Sequence, residues 1–155
     1  ICGFSTRAGR RSLPAMVEHT SPIQDHMTPA PITIGRAQSL SEAARKMHEH
    51  HVRHLPVLEG GYLFGILSER DIDLVEALPD VDPDKVTVEE AMTQDPYTVR
   101  PDTPVREVAA AMAEHKYGTA VVMQEGRVVG IFTTVDALRM LAAMLGAAPG
   151  SAKGV

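Results

Sequence analysis

The chain has no tryptophan, a single cysteine and only 4% aromatic residues, and nowhere does it run 18 apolar residues together. Without aromatics the core has to come from Val, Ile, Leu, Ala and Met, and the eight methionines supply a side chain that fills irregular gaps. The lone Cys2 excludes an internal disulfide and fits a reducing, cytoplasmic setting. The lack of a long apolar run excludes a membrane-spanning helix. Positive charge is also in deficit, the net being −5, which argues against a protein that grips nucleic acid through a concentrated basic face. No Gly-x-Ser-x-Gly elbow or phosphate loop is present, and Cys2 stands in a leader without periodicity, so the chain reads as a non-enzyme.

What the chain does have is a repeat. Gly65-Ile66-Leu67-Ser68-Glu69-Arg70-Asp71 returns 65 residues later as Gly130-Ile131-Phe132-Thr133-Thr134-Val135-Asp136. The same offset pairs Met27-Thr28 with Met92-Thr93, Pro31 with Pro96, Thr33 with Thr98, Met47 with Met112, Val57 with Val122 and Gly61 with Gly126, and no gap is needed. A register kept this long marks two copies of one structural unit. The spacing predicts copies over 22–78 and 87–145, joined by an acidic linker over 79–86. The remaining segments are a disordered tail or non-native leader over 1–21, with a native start at Met16, a basic arm and a transit peptide as its readings, and a flexible C-terminus over 146–155. The aspartates of the linker do not make a calcium loop, since the sixth position lacks glycine and the twelfth is Ala91.

Each copy reads as strand, helix, strand, strand, helix. Ser39-Leu40-Ser41-Glu42 is a capping box, and Leu40, Ala43, Ala44 and Met47 share one helical face. In the second copy Thr103-Pro104 reads as N-cap and first helical residue, with Val105, Val108, Ala109 and Met112 on the buried face. Glycine-bearing turns at 59–61 and 124–126 join the two longer strands of each copy. Neither copy has core enough to stand alone, so the expected fold is α+β, two βαββα units packed sheet to sheet about a pseudo-two-fold axis. The apolar helices at 72–78 and 135–145 exceed what such a body needs, which predicts a homodimer.

Ser-x-x-Asp and Thr-x-x-Asp at the strand-to-helix junctions admit two readings. They are helix caps, and they are also a hydroxyl and an acid placed to accept hydrogen bonds from a sugar diol beside free helix-start amides. Arg53-His54 stands before a strand where its counterpart is the neutral Gly118-Thr119. A phosphorylated ligand should therefore prefer the cleft that Arg53 and His54 serve, with Lys116, Arg36 and Arg100 as compensating cations. His48, His50, His51 and His54 form a histidine cluster, with His50 and His54 at i, i+4 if the helix persists. No acid or cysteine completes a tetrahedral set, and no physiological metal is expected.

The tandem run of Met-Thr, Pro followed by Thr and an apolar residue, an Ala/Met helix, Val52-Arg53-His54-Leu55-Pro56-Val57 and Gly-Ile-x-Ser/Thr-x-x-Asp resembles the CBS-domain family, two of whose repeats form a Bateman module. The resemblance covers residues 23–145. It implies a regulatory module that binds AMP, ADP, ATP or S-adenosylmethionine between the repeats, with no required cofactor. It assigns the ribose to Ser68, Asp71, Thr133 and Asp136, and the adenine to backbone near Thr33, Ile34, Leu55, Pro56, Thr98, Val99 and Ala120. Phosphate falls to Arg53, His54 and Lys116. It also implies a homodimer and a separate regulated partner protein. The alternatives are a dimerisation module with vestigial pockets and a metal- or redox-responsive regulator.

Overall fold

The structure is a computed structural model that describes residues 21–146; the basic leader with Cys2 and the Gly- and Ala-rich end from 147 lie outside the described residues. After a 3-10 turn at Ile23–Asp25, the first copy supplies β1 (Thr28–Pro29), β2 (Ile34–Gly35), α1 (Leu40–His50), β3 (His54–Glu59), β4 (Tyr62–Ser68) and α2 (Glu69–Glu76). The second supplies α3 (Val88–Ala91), β5 (Thr93–Gln94), β6 (Thr98–Val99), α4 (Val105–His115), β7 (Thr119–Gln124), β8 (Arg127–Thr133) and α5 (Thr134–Met144). The fold is α+β, as expected, with two four-stranded sheets in the orders β2-β3-β4-β5 and β1-β8-β7-β6.

Periodicity explains the longer elements. Leu40, Ala43 and Met47 are buried on α1, and the Ser39 hydroxyl accepts the Glu42 N–H at 3.3 Å. Both hairpins turn through two residues of positive φ, Gly60 and Gly61 in one, Glu125 and Gly126 in the other. That is the turn whose twist matches the strands it joins. The start of α4 differs from expectation. Pro104, not Thr103, occupies the cap and makes no side-chain bond there, while the Thr103 hydroxyl accepts the Arg100 N–H. The cause is tertiary: the Val105 N–H is drawn to the Ser21 carbonyl at 2.8 Å.

That bond belongs to an exchange between the copies, which local patterning does not predict. Edge strand β1 pairs with β8, aligning Thr28 with Ile131, and β5 pairs with β4, aligning Thr93 with Ile66. Each sheet therefore takes one edge from the other copy. The cores follow suit, since fully buried Ile23 packs with Val108 and Phe132, whereas Val88 and Met92 pack with Leu40, Leu55 and Leu67. Matched clamps close the exchange: Ile23 N–H donates to Thr103 O and Val88 N–H to Gln38 O, each at 2.8 Å. Residue 21, read as the last of the leader, is tied into the body by its carbonyl.

Gly65 and Gly130 let the exchanged segments close. A Cβ on Gly65 would lie 2.7 Å from the Thr93 carbonyl oxygen and 2.7 Å from Met92 Sδ, and one on Gly130 would meet the Met27 side chain. A thioether can swing aside and a backbone carbonyl cannot. In urea unfolding, Gly65→Ala is expected to lose on the order of 1–3 kcal/mol, and Gly130→Ala distinctly less. Equal losses would contradict this account.

Candidate functional site

The two strand-to-helix junctions are built alike. At the first, Asp71 Oδ2 accepts the Ser68 N–H at 2.8 Å and the Ser68 hydroxyl at 2.6 Å, while the Asp71 N–H donates to Ser68 Oγ at 3.3 Å. At the second, Asp136 Oδ2 accepts the Thr133 N–H at 2.9 Å and its hydroxyl at 2.7 Å, with the Asp136 N–H returning to Thr133 Oγ1. Both are capping boxes. The residue after each cap is also engaged, Glu69 N–H with Arg53 O at 2.9 Å and Thr134 N–H with Gly118 O at 3.1 Å. Three of the amides at each helix start are thus used internally, so the expected supply of free amides for a ligand is mostly consumed.

The junctions differ in what surrounds them. Thr133 and Asp136 line a cleft of about 300 Å³ whose other walls are Thr28, His51, Val52, Arg53, His54, Ile131, Thr134, Val135 and Arg139. The acid and hydroxyl come from the second copy, and the basic residues Arg53 and His54 from the first. Arg53 reaches Glu69 at 3.4 Å with its side chain 74% exposed, and Arg139 Nη1 reaches Asp136 Oδ1 at 3.1 Å. Two guanidinium groups therefore share the cleft with one carboxylate and two imidazoles. His54 also pairs with Ser68 across β3 and β4, which sets it between the two acids. Burial pushes its pKa below the ordinary value, and Arg53 adds to this, against the opposing pull of Asp71 and Glu69.

The remaining nominated residues stand elsewhere. Leu55, Ile34 and Ala120 are buried in the two cores, Pro56 is buried on the other face of β3, and the Thr33 carbonyl accepts from Lys46 Nζ at 3.2 Å. Thr98 and Val99 form β6, Lys116 ends α4 in the left-handed region, and Ser68 and Asp71 are not among the residues that line the cleft holding Thr133. Sequence reasoning missed Thr28 and Arg139. The offset of 65 residues carries a signal for the latter, because Leu74 occupies the matching place. The Thr119 hydroxyl, at the position matching His54, is buried without a hydrogen-bond partner.

The histidine cluster does not assemble. His51 takes φ 53 and ends α1, so His50 and His54 share no helical face. His48 and His51 line a separate cleft of about 420 Å³ with Arg53, Glu69, Asp73 and Glu76. Among the described residues no group of three or more His, Cys, Asp or Glu side chains is set to hold a metal ion. Among them, too, no helix is long and apolar enough to cross a membrane.

Comparison with known proteins places this geometry in context. The CBS domain family matches residues 23–76 and 88–143. The chain is 36% identical over 134 residues to L-aspartate semialdehyde sulfurtransferase of Methanocaldococcus jannaschii, covering 85% of this chain and 25% of that protein. It is 31% identical to hypoxic response protein 1 of Mycobacterium tuberculosis, over 76% of this chain and 83% of the relative. The CBS domain pair of protein MJ0100, solved with 5′-methylthioadenosine and S-adenosyl-L-methionine, superposes with a TM-score of 0.73 at 32% identity over 80% of this chain and 98% of that one. Hypoxic response protein I, solved with two coordinated zinc ions, gives 0.67 at 29% identity over 77% and 98%. The chain matches about a quarter or less of the length of the sulfurtransferase and of inosine-5′-monophosphate dehydrogenase of Korarchaeum cryptofilum, to which it is 35% identical over 106 residues.

The position of His54 has a consequence in solution. Its folded pKa lies below the ordinary 6.5, so in that range the unfolded chain takes up a proton that the folded one refuses, and stability falls as pH drops. Between about pH 7.5 and about pH 5.5, which brackets the ordinary histidine value, the melting temperature is expected to fall less for His54→Gln than for the parent. Parallel curves would remove His54 from the account. The lowered carboxyls Asp82 and Glu90 act only at more acid pH.

Proposed function

The chain belongs to the CBS-domain family, and from that premise we propose that it is a regulatory module which takes an adenosine-containing ligand of the AMP, ADP or ATP class in the cleft between its repeats and passes the occupied state to a partner protein. One observation carries the reading: Thr133 and Asp136 of the second copy meet Arg53 and His54 of the first across a single cleft. An ionised carboxylate accepts hydrogen bonds from both hydroxyls of a ribose, and a guanidinium holds a phosphate in bidentate fashion. The one hydroxyl bonded to an acid in the cleft, that of Thr133, is tied into the helix cap, which favours binding over turnover. The enzymatic activities of relatives that the chain matches over a quarter of their length or less do not carry over by themselves. At the Ser68 and Asp71 junction the repeat puts the neutral Gly118-Thr119 in place of Arg53-His54, and that site is assigned weaker binding, an adenosine ligand without phosphate such as S-adenosylmethionine, or no ligand.

The second reading, an interaction module with vestigial pockets, draws on the outer helices. On α5 the only buried residue is Asp136, whereas Leu138, Leu141 and Met144 are about half exposed or more, as are Leu74 on α2 and Leu78 just past its end. Apolar helical faces of this kind mark association, and we assign them to a homodimer, which is compatible with either reading.

A thermal-shift panel of AMP, ADP, ATP, S-adenosylmethionine and 5′-methylthioadenosine separates the two. A ligand at a hundred times its Kd adds about 2.7 kcal/mol to apparent stability, and Asp136→Asn is expected to abolish the shift for the phosphorylated ligands. A flat panel leaves only the interaction module. For the dimer, light scattering is expected to show two protomers for the parent and one for Leu138→Glu combined with Leu141→Glu; a parent chain that is monomeric at tens of micromolar overturns the pairing.

A further inference from the structure

Both oxygens of Asp136 are occupied. Oδ2 serves the helix cap through Thr133, Oδ1 accepts from Arg139 Nη1 at 3.1 Å, and the residue is only 9% exposed. A ribose hydroxyl that approaches this acid has to take Oδ1, because Oδ2 is committed to the cap. Oδ1 has two acceptor sites and Arg139 holds one, so a diol that gives both its hydroxyls to Oδ1 makes Arg139 let go. Its side chain is 74% exposed, lines the same cleft and swings on a flexible stem.

We infer that Arg139 determines ligand class: it makes this cleft select a phosphorylated adenosine ligand over the unphosphorylated nucleoside. The incoming diol displaces the guanidinium from the carboxylate, and a phosphate on the same ligand recaptures it alongside Arg53. A neutral nucleoside breaks the same contact and offers the freed cation nothing in return. Discrimination thus arises from an exchange of partners, with charge balance kept only when the ligand brings its own anion. This rests on the ribose reading of Thr133 and Asp136.

The internal repeat supplies the control. At the other junction Leu74 stands where Arg139 would be, Gly118 where Arg53 would be and Thr119 where His54 would be. Asp71 keeps the identical cap through Oδ2, yet no residue in the place of Arg139 competes for its other oxygen. Thr119, neutral where His54 is basic, brings no cation to that side. The same acid is gated by a cation in one half and ungated in the other.

The test is calorimetry of the full chain with AMP and with adenosine, in an Asp71→Asn background that removes the acid of the first junction. The parent is expected to prefer AMP. Arg139→Leu should weaken AMP by about tenfold, the scale of one charge-assisted hydrogen bond, while adenosine stays unchanged or tightens. Arg139→Lys should keep part of the preference. An unchanged AMP-to-adenosine ratio in Arg139→Leu overturns the inference, and so does an equal loss of both ligands, which would make Arg139 a structural support of Asp136. A parent that binds neither ligand overturns the ribose reading itself, and this inference with it.

Discussion

The exchange of leading segments is the constraint on which everything else rests. Residues 21–29 close the core and sheet of the second copy, and residues 86–94 close those of the first, through amide-to-carbonyl bonds repeated at the same offset. Neither half can shed its partner without opening a core and exposing a sheet edge, which unpaired main-chain groups make costly. The same exchange builds the candidate site. Thr28 reaches the cleft only because β1 crosses to β8, and Arg53 faces Thr133 only because the copies are locked at a fixed separation.

Within that frame the capping boxes do two jobs at once. A carboxylate at the third helical position gains from the helix dipole and from the cap N–H, so it is held in one rotamer. A ligand hydroxyl meeting such an acid finds its acceptor already ordered, which lowers the entropic cost of binding. Capping and binding are therefore compatible provided they use different oxygens, and at Asp136 the second oxygen is where Arg139 intervenes. On the proposed reading, stability and recognition are divided between the two oxygens of one carboxylate.

Local order was legible in the sequence and long-range order was not. The faces of α1 and α4, the two hairpins and the duplicated junctions follow from periodicity, glycine placement and capping chemistry, which act over a few residues. Strands β1 and β5 have two residues each, too few for any alternation to register, and their partners lie in the other copy. Pro104 displaced the predicted cap of α4 for the same reason, because the bond that moves it comes from Ser21. Helix α5 shows a further limit: hydropathy reports how apolar a helix is, not which way it faces, and this one turns its aspartate inward and its leucines out. The adenine-side positions were carried by family resemblance alone, and residues such as Leu55 and Ala120 turned out to be core.

The two halves differ where the backbone leaves side chains free to differ. At positions 53 and 118 the structural work is done by a main-chain carbonyl, which accepts the first amide of α2 in one half and of α5 in the other. Arginine and glycine perform it equally well, so the side chain there can vary without unfolding either junction. The same holds for positions 74 and 139, since the cap at each aspartate is complete without them. A duplicated unit whose symmetry resides in its backbone can acquire a cationic cleft on one side and a neutral one on the other through surface substitutions alone. Such substitutions cost little stability, which leaves the two halves free to take the different ligand charges proposed for them.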